Sequence, residues 1–271
     1  MQQDANANSN PWLEPMSDIP CTKLSPDIKQ HICHALRNMI DANAKAYVQQ
    51  GLQKRLFMLN YCMSKINELT PAEGSESLTP DVATALAVCI NAFYINVRGS
   101  LDNLAWALFY ELKLQEQCVS LDASRKQSIG LHYRTFLSAL KKQPRGQSCA
   151  EALEKTRQWL KDITDKRDPA AHRFPIEMVS GCVSSEDKEK HADLCRQRDE
   201  ADIENVYNLD CQADQLLVFR PVLLIRDEKK SKIQWAFSAL ANDFKKMLEV
   251  AEVVLLLLAN KATQHDNSAR A

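Results

Sequence analysis

Glycine is scarce in this chain, with 6 in 271 residues. None forms a G-x-G-x-x-G or a phosphate loop, so the two glycine-dependent nucleotide cradles are excluded. The 10 prolines cluster near segment ends, a pattern that favours long uninterrupted helices over a turn-rich β protein. Charge of one sign is lacking too: 34 basic residues face 35 acidic ones, for a net charge of -1. Nothing therefore pulls the whole molecule toward nucleic acid or an anionic membrane, and any RNA binding has to rest on a local basic patch. The 9 cysteines are odd in number and contain no CxxC. They read as buried free thiols in a reducing compartment rather than as a disulfide framework. The opening MQQDANANSNPW has neither the basic start nor the apolar core of a signal peptide. The apolar run Val253 to Ala259, VVLLLLA, is far too short to span a bilayer. The expectation is a soluble cytoplasmic protein with no membrane partner.

What the chain does hold is helical periodicity. Ser25-Pro26-Asp27 supplies a cap, a proline at the first helical position and an acid near the positive helix end. Apolar residues then recur to Leu69, with a break expected around Asp41 to Gly51. Thr79-Pro80-Asp81 repeats the start signal. The stripe Val82, Leu86, Cys89, Phe93, Val97, Leu101, Leu104 and Leu108 follows, predicting a helix to about Leu114. Shorter helices are expected over His132 to Lys141 and Ser148 to Arg167, the second ending or kinking at Asp168-Pro169. RFPIEMV (173–179) and QLLVFRPVLLI (215–225) suit two strands of a small hairpin, with a charged excursion between them. A last helix runs from Ile233 to Lys261. The expected fold class is all-α: a bundle of four to five main helices with a small β-hairpin insertion. Its parts are a flexible segment 1–24, one bundle domain 25–262 carrying the insertion at about 173–226, and a flexible tail 263–271.

Several groups of side chains invite a chemical reading. His31, Cys33 and His34, and Cys182 with His191 and Cys195, suggest metal ligands. They lack zinc-ribbon spacing, and no Glu-x-x-His element of a di-iron bundle occurs, so no metal and no cofactor are expected. A histidine beside a thiol is more often packing. Arg98 and Asp102 stand four apart and can pair on one helix face. Tyr94, Trp106 and Phe109 crowd them, so the strip is expected to be partly buried, with the Arg167/His172 segment one candidate partner.

That segment, KRDPAAHRFP, carries Arg167 and His172. A metal-free ribonuclease must take a proton from the 2′-hydroxyl and stabilise charge on the phosphate. An imidazole exchanges protons near neutrality, and a guanidinium offers paired hydrogen bonds to phosphate oxygens. Lys161, Lys166 and Arg173 would add local positive charge for a phosphate backbone. The bland alternative is an ordinary helix C-terminus whose basic residues and histidine cap the last carbonyls.

RDPAAH resembles the Arg-x(4–6)-His signature of the HEPN superfamily of helical-bundle proteins. VRGSLDNLAWAL is similar to a core helix of that family. The order HRFPIEMV, charged insert, VFRPVLLI and FSALANDFKKMLEVAEVVLLLL resembles bacterial members with a hairpin before the last helix. The likeness spans roughly residues 80–260. It implies a HEPN-like bundle acting as a homodimer and a metal-independent endoribonuclease, often a toxin or defence effector with an antitoxin or other protein partner. The motif segments of two subunits would face each other in one composite site. Arg167 would bind the scissile phosphate and His172 would act as general acid or base, with Asp168, Arg173, Lys166, Arg98 and Asp102 supporting. Where the family commonly has a polar residue, often asparagine, after the arginine, this chain has Asp168 and then Pro169. An acid there orients His172 and raises its pKa, or it repels phosphate and marks a non-cleaving member. Relatives with a degenerate motif serve as binding scaffolds, so a dimeric scaffold for a protein or nucleotide partner is the rival reading.

Overall fold

The structure, a computed structural model, describes residues 26–117, 121, 128–172, 174–227 and 230–260, without the side chains of residues 117, 169, 170, 172, 227 and 230. The segments expected to be flexible, 1–24 and 263–271, lie outside the described residues.

Pro26 opens helix α1 (Pro26–Asn38), with Asp27 in its first turn. The expected break comes at residues 39–41, where Asp41 caps α2 (Ala42–Ala46) by accepting from Ala44 N at 2.9 Å. The backbone N–H groups of Ile40 and Asp41 are taken up by the Glu111 carboxylate at 2.9 and 3.0 Å. From there the chain does not break at Gly51. It widens to a π-helix over Tyr47–Leu52 and continues as α3 (Gln53–Leu69). Gly51 has a packing reason: a Cβ there would stand 2.6 Å from the Asn103 side chain.

Helix α4 (Pro80–Glu111) begins as its signal predicts, with Thr79 Oγ1 accepting from Val82 N at 3.4 Å and Pro80 in the first turn. Its Leu86, Ile90, Phe93, Val97, Leu101, Leu104 and Leu108 are buried. By length and hydropathy α4 matches a membrane span. A core helix meets the same criterion, and α4 packs against α2, α3, α8 and α11.

Short helices α5 (Leu114–Gln117), α6 (Arg134–Lys142) and α7 (Gln147–Lys155) follow, then α8 (Arg157–His172). The single helix expected over 148–167 is thus two. Thr156 divides them, its Oγ1 donating to Leu153 O at 3.0 Å, a local bond that competes with the helical ladder. Asp168-Pro169, by contrast, does not end α8. In an exposed last turn the proline forfeits one hydrogen bond, to the carbonyl of Asp165, which stands at the surface where water can serve it.

The insertion holds more than one hairpin. Strands β1 (Glu177–Met178) and β2 (Cys182–Val183) precede a helical pair, α9 (Lys188–Glu200) and α10 (Ile203–Asp214). Then come β3 (Leu217–Val218), β4 (Val222–Asp227) and β5 (Lys230–Trp235). The expected pairing of 173–179 with 215–225 exists as β1 against β4, Met178 opposite Leu223. The tight hairpin, however, is β4–β5, in a sheet ordered β1-β4-β5. Residues 233–235 therefore belong to β5, and the last helix, α11, covers Ala236–Ala259. Its Val254, Leu255, Leu257 and Leu258 are buried while Leu256 stays 43% exposed. The whole is mostly helical, 72% helix against 8% strand, which sets it in the all-α class. A core running from Ile28 of α1 through Ile225 of β4 to Ala259 of α11 joins bundle and sheet.

Candidate functional site

The inner stripe of α4 is interrupted by polar residues. Asn96 and Ser100 are buried and Arg98 keeps only 12% of its side chain exposed. Small neighbours make room: a Cβ on Gly99 would strike the Arg55 guanidinium. Arg55 Nη1 donates to Asn96 Oδ1 at 3.0 Å, and Asn96 Nδ2 donates back to Ala92 O at 2.8 Å. Arg98 Nη2 pairs with Asp102 Oδ1 at 3.0 Å, as the four-residue spacing predicts. Partial burial pushes the Asp102 carboxyl up, while Arg98, Arg167 and Arg55 pull it down and Asp168 pushes it up again. The charge of Arg167 thus reaches Asp102, and the expected link between the α4 strip and the α8 end is electrostatic.

His132, which no motif in the sequence marks, stands just before α6. Its Nδ1 lies 3.4 Å from Arg98 Nη1. An arginine can only donate, so Nδ1 is the acceptor and the neutral ring carries its proton on Nε2. Burial, then the Arg98 charge, lowers the His132 pKa from 6.5 to about 4, against an opposing pull from Asp168. Between those values the unfolded chain takes up a proton that the folded chain refuses. Stability from this group is therefore complete above pH 6.5 and declines as pH falls toward 4. His132→Asn does not titrate and should flatten the pH dependence of the unfolding midpoint across that window. An unchanged slope would show that the ring is protonated equally in both states.

On α8, Arg167 donates from Nη1 to Asp168 Oδ1 at 2.9 Å, with 35% and 54% of the two side chains exposed. Lys166 turns the other way. Read from sequence as positive charge for a phosphate backbone, it instead pairs with Asp243 Oδ2 of α11 at 2.6 Å and lies 5.1 Å from the Tyr94 ring centre. Asp243 is 3% exposed and also accepts from Trp159 Nε1 at 2.9 Å and Tyr94 Oη at 3.2 Å. Burial, then the charge of Asp243, holds the Tyr94 phenol well above its usual range. His172 closes α8, but its side chain and all of Arg173 lie outside the described residues. Positions 167 and 172 of a continuous helix sit about 140° apart around its axis. Pro169 thus does not restart a turn that would bring them onto one face.

Arg167 and Asp168 stand at the end of a cleft of about 1620 Å³ between α8, the β4–β5 hairpin and α11, floored by Trp159, Lys166 and Asp243. Of the metal candidates, His191 Nδ1 contacts Cys195 Sγ at 3.7 Å within α9. No group of three or more His, Cys, Asp or Glu side chains converges among the described residues. The described cysteines are free thiols, and burial pushes Cys62 to about 11 and Cys149 to about 12.

Asp243 and Lys166 had a legible signal, because each breaks an apolar helical stripe: Leu240, Asp243, Met247 on α11 and Trp159, Ile163, Lys166 on α8. His132 had none, since its partner Arg98 is 34 residues away. Comparison with protein-family models, curated proteins and solved structures finds no match for this chain.

Proposed function

We propose that the chain is a metal-independent endoribonuclease of HEPN type, acting as a homodimer, in which Arg167 binds the scissile phosphate and His172 transfers the proton. The observation that carries this reading is the place of Arg167. It is partly exposed on the last turns of α8, at the end of a cleft, and within electrostatic reach of Asp102. A guanidinium so placed meets the need for charge stabilisation at a phosphate. Asp102 and Arg98, fixed by their own pair and by His132, would hold the charge balance behind it. The divergence of positions 167 and 172 on one helix supports the two-subunit form of the site, in which each chain supplies one half.

A second reading has its own observation. The Arg167 guanidinium is already paired with Asp168, and an arginine neutralised by its neighbour suits a non-catalytic dimeric scaffold for a protein or nucleotide partner. The two readings separate in one assay. In EDTA, with structured and single-stranded RNAs, the ribonuclease leaves 2′,3′-cyclic phosphate ends. His172→Ala or Arg167→Ala is expected to lower the rate roughly 10²–10⁴-fold. Cleavage equal in parent and variants assigns the cutting elsewhere, and no cleavage at all favours the scaffold. Asp168→Asn, which frees the guanidinium, should raise RNA affinity several-fold if phosphate is the ligand.

A further inference from the structure

The cleft beside Arg167 exists because of the pairing register of one hairpin. Strand β4 turns the buried Leu223 and Ile225 toward the bundle. Opposite them in register, β5 places Gln234 and Lys232 on the same face. An apolar pair there would close the sheet onto α8 and α11, but a glutamine and a lysine do not, and the space stays open. At the junction of β5 with α11, Trp235 lines the cleft with 41% of its surface exposed.

The charges lining this space sort into two kinds. Lys166 is neutralised on the floor by Asp243, and Arg167 at the end by Asp168. Lys155, Lys232 and Lys246 also line it, and no carboxylate pairs with them among the described residues. Two further acids, Asp162 and Asp165, share the lining, so the attraction for an anion is local rather than general. Gln234 Oε1 is shut off from solvent without a hydrogen bond among the described residues, so the contacts offered to a ligand are the lysines and the indole rather than this amide. A few lysines beside an exposed indole make the combination that holds unpaired nucleotides: charge for the backbone and a ring face for a base. A duplex keeps its bases stacked on one another and offers none to Trp235. From Gln158 to Asp168 the α8 wall runs roughly 15 Å, leading a strand along the helix toward Arg167.

We infer that this cleft is a groove for single-stranded RNA, with Trp235 as the stacking platform and Lys155, Lys232 and Lys246 as phosphate contacts. The inference deepens the ribonuclease reading of Arg167 and rests on it for the direction of the strand.

The test is fluorescence polarisation on the full chain in EDTA. The probe is a labelled single-stranded RNA of about ten nucleotides, and the comparison is the same sequence as a duplex. The single strand should bind at least about tenfold more tightly than the duplex. Lys232→Glu should weaken it roughly tenfold and lower the slope of log affinity against log salt by about one to two. Trp235→Ala should weaken it about 5- to 100-fold, while Trp235→Phe, which keeps a ring and guards against a folding defect, should retain most of the affinity. Cleavage is measured on the same samples. Affinity lost in Lys232→Glu and Trp235→Ala while the parent cuts nothing upholds the groove and removes the nuclease. Cleavage that depends on Arg167 with affinity unmoved by either substitution removes the groove and upholds the nuclease. Equal binding of duplex, or no RNA binding by the parent, overturns the groove.

Discussion

Mixing Arg167→Ala with His172→Ala protein is expected to restore RNA cleavage to about a quarter of the parental rate, although each variant alone is nearly inactive. The reason lies in α8, which runs unbroken from Arg157 to His172. Five residues of helix separate the two positions by about 140°, so one chain does not present both on one face. In the proposed two-fold dimer, each site would take its arginine from one subunit and its histidine from the other. Free exchange of subunits makes about half of the dimers mixed, and each of these has one intact site and one doubly defective site. Recovery no greater than the sum of the two variants would sink the composite site. A mixture tested before and after a unfolding–refolding cycle distinguishes slow exchange from absence of complementation.

The second large effect concerns stability. Lys166→Met should cost about 3–5 kcal/mol, because it leaves the Asp243 carboxylate buried with only the neutral donors Trp159 and Tyr94. Removing both charges is a different matter. Lys166→Met with Asp243→Leu no longer buries an unpaired ion, yet it strands the Trp159 N–H and the Tyr94 hydroxyl at about 1–3 kcal/mol each. The double variant should therefore lose clearly less than the sum of the two single losses. Urea denaturation of the four proteins closes the cycle. A loss below about 1 kcal/mol for Lys166→Met would place the pair among solvent-screened surface bridges. The same network joins α4, α8 and α11 directly under the cleft, so its loss should also loosen the floor on which Arg167 is mounted.

Much of the helical frame was legible because its signals are local. Thr79-Pro80-Asp81 wrote the start of α4, and the three- and four-residue steps from Val82 to Leu108 wrote its buried face. Thr156 was harder, since a short side chain competing for a backbone bond decides that break. Strand β5 was missed for a different reason. KKSKIQW has little apolar content, and it becomes a strand because Leu223, Leu224 and Ile225 of β4 offer it a ladder in register. Pro169 misled in the other direction: a proline in a last, exposed turn costs one hydrogen bond, too little to stop a helix held elsewhere by Trp159, Leu160 and Ile163 in the core.

At the site the division is similar. The Arg98–Asp102 pair follows from spacing on a helix, and so does the nearness of Arg167 to Asp168. That Lys166 turns inward to Asp243, 77 residues on, and that His132 accepts from Arg98 are facts of packing between distant segments. By itself the sequence determined the all-α class, the start of α4 and the local ion pairs, because each depends on neighbours within a few residues. Only the tertiary structure decided which charges are neutralised, which remain available at the cleft, and that the cleft exists at all. Those outcomes depend on which distant side chains share a buried space, and the cost of an unpaired charge there outweighs any local preference.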